Sequence, residues 1–230
     1  MKLEVLPDAE SVARRAAERE AEEARAAVAE RGRFGFAVSG GSTPWKMLRA
    51  LADEDVPWRG VHVFQVDERV APAGDPDRNL THLEESLLAH APLAPEQVHA
   101  MGVEDSDLES AAALYARALE DVAGSPPVLD LVHLGLGPDG HTASLVPGDP
   151  VLEVRDRDVA LTVNPYQDRR RMTVTYPLLD RARRILWLVT GGSKVEMLER
   201  LRGGDPSIPA GRVRSDCAVV LTDRAAGGEA

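Results

Sequence analysis

The 230-residue sequence is acidic: 38 Asp and Glu residues outnumber 27 Lys and Arg residues, and the formal net charge is −11. This charge argues against a general nucleic-acid binder, because a phosphate backbone must be met by basic side chains. A small anionic substrate is still allowed, since a few local cations and backbone N–H groups are enough to hold one phosphate. The single cysteine, Cys217, excludes an intrachain disulfide framework and a thiolate zinc site.

The beginning of the chain has no apolar signal core, and no apolar run approaches the ~18 residues needed to span a bilayer. We therefore expect a cytoplasmic protein with no membrane partner. The length suits one large α/β domain or two small ones. Because no linker and no internal repeat divides the sequence, a single domain over residues 1–230 is expected.

In chain order, the first predicted element is a long amphipathic helix over 8–31, where Ala, Arg and Glu dominate and Gly32 offers a stop. Later apolar runs predict strands, and the segments between them predict helices. The predicted strands are 34–38, 61–66, 129–134, 159–163, 172–175, 185–190 and 218–221. The predicted helices after the first are 44–52, 79–89, 107–122 and 193–201. The last residues, 227–230, are expected to fray.

Alternating strands and helices predict an α/β fold, doubly wound, with a mostly parallel sheet covered by helices on both faces. Ligands of such sheets bind outside the carboxyl ends of the strands. Polar, glycine-rich segments follow four of the predicted strands, at 39–44, 67–69, 135–141 and 191–194. We therefore expect these four loops to converge on one edge of the sheet and to form a single active site.

The first of these segments, Ser-Gly-Gly-Ser-Thr-Pro at 39–44, follows a strand and opens a helix. Thr43 is predicted to cap that helix, with Pro44 at its first position. The glycines allow close approach of the backbone to a ligand, and the free N–H groups of a helix start favour an anion. An ordinary turn without a ligand is an equal alternative at this point.

The segment Gly-Leu-Gly-Pro-Asp-Gly at 135–140 matches the dinucleotide pattern G-x-G-x-x-G, but we reject a dinucleotide site. That site needs a helix starting in the loop, and the prolines at 138, 147 and 150 leave no room for one. The loop instead presents Asp139 and His141, which are candidates for a general base and its partner. The alternative is a turn in which Asp139 bonds only to backbone and His141 is solvated.

Charged residues in the other two loops are further candidates. Asp67, Glu68 and Arg69 follow a buried strand, where they could orient a substrate and stabilise an oxyanion, or form a structural ion pair. Lys194 is one of only three lysines among the basic residues, which favours a specific point-charge role. Three arginines occupy 169–171, and a solvated loop is the expected role for two of them.

Metal and cofactor sites find no support in the sequence. The six histidines form no His-x-x-x-His pattern and no Cys-rich ligand set. A Ser-His-Asp triad is also disfavoured, because no G-x-S-x-G elbow is present. We therefore expect chemistry without a metal ion and without a cofactor.

In combination, these segments resemble the 6-phosphogluconolactonases, within the wider glucosamine-6-phosphate deaminase/isomerase-like superfamily. The matching segments, in chain order, are 39–44, 67–69 with Asn79, 135–145 with Pro147 and Gly148, Arg171-Met172-Thr173, 191–194, and Ile208-Pro209-Ala210. Two departures are notable. A proline-rich stretch usual before the matched arginine is replaced by 164–170, and a tryptophan common near the last strand is absent at 217–219.

The resemblance implies a Rossmann-like sheet without a nucleotide and hydrolysis of 6-phospho-D-glucono-1,5-lactone to 6-phospho-D-gluconate in the oxidative pentose phosphate pathway. Its only implied partner is that phosphorylated sugar lactone. It implies His141 as the catalytic base. For the mechanism we expect Asp139 or Asp67 to orient the imidazole or the substrate hydroxyls, and Arg69 or backbone N–H groups to stabilise the oxyanion. The residues implied to hold the substrate are Ser39, Gly40, Gly41, Ser42, Thr43, Arg171 and Lys194.

Three alternatives remain at the level of sequence. A sugar-phosphate deaminase/isomerase of the same superfamily typically has an aromatic residue in place of Arg69 and Phe-Asn-Glu-Pro-Gly in place of 144–148, so the missing glutamate counts against it. A sugar-phosphate sensor usually carries a DNA-binding module, and the chain has no spare basic segment for one. A ligand-binding protein without activity stays open, and no feature predicts an oligomeric state.

Overall fold

The computed structural model describes residues 1–228. Its strands are β1 (Lys2–Leu6), β2 (Phe34–Val38), β3 (Val61–Gln65), β4 (Asp67–Arg69), β5 (Val98–His99), β6 (Leu131–Gly135), β7 (Val159–Leu161), β8 (Arg171–Val174), β9 (Ile185–Val189) and β10 (Ala218–Asp223). Its α-helices are α1 (Ala9–Arg31), α2 (Ser42–Leu51), α3 (Asn79–Leu83), α4 (Leu108–Ala123), α5 (Tyr176–Arg181), α6 (Val195–Arg202) and α7 (Arg224–Gly227). No helix among these residues is long and apolar enough to cross a membrane.

Seven strands form a parallel sheet in the order β1-β10-β9-β6-β2-β3-β5. Successive side chains of a strand point to opposite faces, so each strand contributes to two hydrophobic clusters. Leu186 and Leu188 of β9 pack with α1, α2 and α3, whereas Trp187 and Val189 pack with α4, α5 and α6. The predicted doubly wound α/β fold is therefore confirmed.

The first helix, α1, shows how local sequence sets an element. The Asp8 side chain accepts a hydrogen bond from Ser11 N at 2.8 Å and caps the start of the helix. Gly32 ends it in the left-handed conformation, at a φ of 75° that glycine adopts without strain. Between these caps, six alanines on one face of the helix are buried, and the helix agrees with the predicted range 8–31 to within one residue.

The predicted strands 159–163 and 172–175 form β7 and β8, but they do not join the parallel sheet. They pair with β4 in a separate three-stranded antiparallel sheet of order β4-β8-β7. The physical reason lies in the preceding segment. A return to a parallel sheet normally needs a helical crossover, and only the short 3₁₀ turn Pro150–Glu153 lies between β6 and β7.

Several predicted boundaries also differ. Helix α2 begins at Ser42 with Gly41 at its N-cap, so the prediction that Thr43 caps it is wrong. The Thr43 hydroxyl instead lies 2.8 Å from the Thr190 hydroxyl and links α2 to the end of β9. The predicted helix 79–89 is α3 followed by one π turn, Glu84–Leu88. Of the tail expected to fray, Gly227 ends α7, and residues 229–230 lie outside the described part of the chain.

Candidate active site

A cavity of about 280 Å³ opens at the carboxyl ends of β2, β3, β6 and β9. The four glycine-rich or charged loops predicted from the sequence all contribute to its wall. The predicted site residues that line it are Ser39, Gly40, Gly41, Ser42, Thr43, Asp67, Arg69, His141, Arg171 and Lys194. Asp139, the remaining predicted residue, contacts the His141 imidazole rather than the cavity itself. All eleven predicted residues therefore line one cavity or contact a residue that lines it.

The wall next to β2 is the start of helix α2. Within residues 1–228, no side chain caps this helix, which leaves its first N–H groups for a ligand. Ser39 N donates to His133 Nδ1 at 3.3 Å, and burial lowers the pKa of His133 to about 3, so this imidazole stays neutral. Gly40 is required by close packing, because a Cβ there would lie 2.0 Å from Asn79 Oδ1.

The wall after β6 holds the pair Asp139 and His141. His141 Nδ1 lies 2.5 Å from Asp139 Oδ1, and His141 N donates to the same oxygen at 3.1 Å. Burial raises the pKa of Asp139, but the hydrogen bonds and charge of His141 outweigh it and lower that pKa below its usual range. An ionised carboxylate only accepts hydrogen bonds, so Nδ1 carries a proton, and in the neutral imidazole the lone pair is then on Nε2.

Gly137 allows the Asp139 and His141 side chains to pack directly against the backbone. A Cβ at Gly137 would lie 2.0 Å from His141 Nδ1 and 2.7 Å from Asp139 Oδ1. Gly140 turns the chain between them at a φ of 82°. The loop that matched the dinucleotide pattern therefore uses its glycines to pack an imidazole against backbone.

The two carboxylates of β4, Asp67 and Glu68, have different roles. Glu68 is fully buried and accepts hydrogen bonds from Asn79 N and Leu80 N at 2.8 Å, which anchors the start of α3. Asp67 points to the cavity side, where its Oδ2 accepts from Ser144 Oγ at 2.6 Å. The sequence left open which carboxylate contacts His141, and the structure places Asp139 there.

Among the three consecutive arginines, Arg171 lines the cavity and is 4% exposed. Its Nη1 lies 3.9 Å from Asp67 Oδ2, and burial lowers its pKa. Arg169 forms ion pairs with Asp75 and Asp77 at 3.2 and 3.3 Å, and Arg170 is exposed. The structure therefore places Arg171 at the cavity and Arg169 and Arg170 outside it, a distinction that the sequence alone did not allow.

Lys194 completes the cationic side of the cavity. It ends the 3₁₀ turn Gly192–Lys194 that follows β9. Burial lowers the pKa of its ammonium group, and the charge of Asp139 acts in the opposite direction. With Arg69 and Arg171, this lysine provides three cations around a small polar cavity, a set suited to a phosphate and a developing oxyanion.

Four residues of this region were not predicted as site residues. Asn79 and Thr190 line the cavity, Ser144 bonds to Asp67, and Tyr166 bonds to Asp139. Asn79 and Ser144 lie inside segments that carried the family resemblance, which was a usable signal. Nothing in the local sequence marks Tyr166, because its contacts depend on the folded path of the β7–β8 hairpin.

Within residues 1–228, no three His, Cys, Asp or Glu side chains are grouped so that they could hold a metal ion.

Comparison with known proteins assigns the chain to a family. The family described as glucosamine-6-phosphate isomerases/6-phosphogluconolactonase matches residues 7–221, and the chain belongs to it. Within that family, the chain is 37% identical to the 6-phosphogluconolactonase of Mycobacterium tuberculosis over 235 residues, covering 96% of this chain and 95% of that protein.

Solved structures agree with this assignment. The 6-phosphogluconolactonase of Thermotoga maritima superposes with a TM-score of 0.86 at 26% identity, covering 96% of this chain and 98% of that one. A monomeric glucosamine-6-phosphate deaminase superposes with a TM-score of 0.84 at 21% identity, covering 98% of both chains. Because lactonase and deaminase share the fold, the site residues have to distinguish the two activities.

Proposed function

We propose that the chain is a 6-phosphogluconolactonase that hydrolyses 6-phospho-D-glucono-1,5-lactone to 6-phospho-D-gluconate in the oxidative pentose phosphate pathway. The observation that carries this proposal is one cavity with the His141–Asp139 pair on one wall and Arg171 and Lys194 on others. We further propose that residues 1–230 act as one domain and that the reaction takes place in the cytoplasm.

In the proposed mechanism, His141 is the general base. Asp139 fixes the proton on Nδ1, so Nε2 accepts a proton from the attacking water. The new bond joins the water oxygen to the lactone carbonyl carbon and gives a tetrahedral oxyanion. Arg69 or a backbone N–H donates to that oxyanion.

The ring then opens as the bond between the former carbonyl carbon and the ring oxygen breaks. His141 returns its proton to the ring oxygen, which leaves as a hydroxyl group of the open chain. The carboxylic acid product ionises near neutral pH. No covalent intermediate with the protein is needed, because water is an adequate nucleophile for an activated ester.

The substrate phosphate is assigned to Arg171, Lys194 and the uncapped start of α2. Arginine offers a fork of donors to phosphate and lysine a point charge, and the helix start adds free N–H groups. All three groups lie around the cavity that contains His141. Asp67 and Asn79, on the same wall as Arg69, are assigned to the sugar hydroxyls.

A deaminase is the alternative activity on this fold. It would use a carboxylate to move a proton between adjacent carbons, and it typically also has the glutamate of Phe-Asn-Glu-Pro-Gly, which falls at Val146. Val146 is an apolar, buried residue and supplies no carboxylate there. The site therefore favours hydrolysis over isomerisation.

The direct test is to generate the phosphorylated lactone in situ and to follow its disappearance with and without the protein. We expect a rate well above spontaneous opening, which is subtracted from each trace. Glucosamine 6-phosphate serves as the comparison substrate, and no ammonia release is expected. Deamination without lactone hydrolysis would refute the proposal.

A further inference from the structure

The hairpin between β7 and β8 places Tyr166 against the site. Tyr166 N donates to Arg169 O at 2.9 Å, and this bridge closes a tight turn over Gln167 and Asp168. Those two residues have positive φ angles of 53° and 61°. The turn itself is exposed, but the Tyr166 side chain is half-buried against the cavity wall. A polar aromatic residue is thus directed inward from an exposed loop.

The Tyr166 hydroxyl reaches the proposed base pair. It donates to Asp139 Oδ2 at 3.1 Å and lies 3.4 Å from His141 Nδ1. The aromatic ring meets the imidazole edge-on, with the centroids 5.2 Å apart and the planes at 65°. His141 uses one oxygen of the Asp139 carboxylate and Tyr166 uses the other, so both oxygens are fixed.

The same residue also holds Arg171. The guanidinium carbon lies 5.0 Å from the centroid of the Tyr166 ring. Arg171 Nε and Nη2 lie 3.4 and 3.3 Å from the Tyr166 carbonyl oxygen, and Nη2 also donates to Gln167 Oε1 at 3.0 Å. The turn therefore holds the guanidinium by a ring face and by two acceptor oxygens.

We infer that Tyr166 is a positioning residue that couples the two halves of the site: its hydroxyl orients Asp139 and, through it, the His141 imidazole, while its ring and carbonyl orient Arg171 for the phosphate. The inference rests on the proposed function. The hydroxyl and the ring have separate consequences. Loss of the hydroxyl should affect proton transfer by His141, and loss of the ring should affect phosphate binding by Arg171.

Two substitutions separate these contributions. Tyr166→Phe removes the hydroxyl and keeps the ring, so kcat should fall about 10-fold, the lower end for a hydrogen bond to a charged group, with KM nearly unchanged. Tyr166→Leu should lower kcat by the same factor as Tyr166→Phe. It should also raise KM for the phosphorylated lactone by about 2- to 30-fold, because it removes the cation–π contact with Arg171. The KM for unphosphorylated gluconolactone should not rise.

Arg170→Ala is the matched control in the same hairpin, since Arg170 is exposed and its side chain donates to the Thr162 carbonyl oxygen and not to a cavity residue. It should leave both kinetic constants unchanged. Binding of the product 6-phospho-D-gluconate, measured by calorimetry, gives a readout that is independent of turnover. Tyr166→Leu should weaken this binding, and Tyr166→Phe should not.

The outcomes are distinguishable. A wild-type protein that does not hydrolyse the lactone refutes the proposed function, and the calorimetric arm then still tests the contact with Arg171. An active wild type with unchanged kcat in folded Tyr166→Phe overturns the role of the hydroxyl. A lowered thermal midpoint with intact kcat and KM in both variants shows that Tyr166 is only structural and overturns the inference.

Discussion

At the residue scale, the most exacting prediction concerns His141. A general base contributes roughly 10²–10⁴-fold to the rate. His141→Asn should therefore lose that factor in kcat, because the amide cannot accept a proton from water, while KM changes by only a few-fold. The measurement is a steady-state assay corrected for spontaneous opening of the lactone.

Asp139→Asn is the companion variant. Its side-chain amide can donate to Nδ1 and favour the wrong imidazole tautomer, so kcat should fall while the phosphate contacts persist. A folded His141→Asn variant with near-normal kcat would remove His141 from the mechanism.

Gly137 tests the same site without removing a functional group. In Gly137→Ala the added Cβ would lie 2.0 Å from His141 Nδ1 and 2.3 Å from Cε1, so the imidazole must move. A displacement of about 1 Å at a reacting group can cost about 10²-fold. We expect at least that loss in kcat, measured under saturating substrate.

The control for Gly137 is Gly35→Ala, in which the new Cβ would meet Leu129 Cδ2 at an ordinary 3.5 Å. Gly35 lies near the start of β2, at the opposite end of that strand from the cavity. Both variants should fold, and only the first should lose activity. Equal activities would show that the imidazole tolerates displacement.

The phosphate contacts give a third prediction at this scale. A charge-assisted hydrogen bond contributes about 1.5–3 kcal/mol, which corresponds to roughly 10- to 150-fold in affinity. Lys194→Ala and Arg171→Ala should raise KM for the phosphorylated lactone by about that factor. Neither substitution should raise KM for the unphosphorylated lactone to the same degree, because that substrate has no phosphate contact to lose.

Arg169→Ala serves as the comparison for these two variants. Arg169 pairs with Asp75 and Asp77 outside the cavity, so its loss should change KM only slightly. If Lys194→Ala raises KM for both lactones equally, the phosphate binds elsewhere on this edge of the sheet.

At the element scale, helix α1 carries a buried acid that makes its packing sensitive to pH. Glu20 is fully buried among alanines, and burial raises its pKa to about 8 from 4.5. The folded protein thus holds this proton more tightly than the unfolded chain. Its contribution to stability is complete below about pH 4.5 and is lost progressively as the pH rises through about 8.

The corresponding variant is Glu20→Gln, which stays neutral at every pH. Between pH 5.5 and 8.5 the free energy of unfolding, measured with urea, should fall by on the order of 2–4 kcal/mol more in the wild type than in the variant. Glu22→Gln on the exposed face of α1 should keep the wild-type dependence. Identical slopes for Glu20→Gln and the wild type would show that Glu20 does not titrate in this range.

The elements that sequence predicted correctly are those with strong local signals. Helix α1 has an aspartate cap and a terminal glycine, and β2, β6 and β9 are continuous apolar runs. Three strands were missed. Strands β1 and β5 are only partly buried, so their alternation is weak, and β4 consists of three charged residues that were predicted as a loop. The pairing of β7 and β8 with β4 depends on distant partners, which no local pattern reports.

At the scale of the whole molecule, the parallel topology explains why the cavity was predictable. Loops that follow parallel strands meet at one edge, so the four loop segments bring ten of the eleven proposed residues to or against one cavity, and Arg171 joins them from β8. Which groups touch within that cavity was not predictable. Asp139 rather than Asp67 contacts His141 because Gly140, at a positive φ, turns the chain between them, and Tyr166 comes from a hairpin whose sheet was not predicted.

The pairing of β1 has a consequence for the order in which the molecule assembles. Strand β1 is at the edge of the sheet, and its neighbour is β10, the last strand of the described chain. During synthesis, Lys2–Leu6 is made long before Ala218–Asp223, its hydrogen-bonding partner in the sheet. Pairing between segments so distant in sequence is slow, and an unpaired strand edge invites association with other chains. We therefore expect β2, β3 and β6 to gain protection from hydrogen exchange before β1 during refolding, with β1 and β10 becoming protected together in the final step.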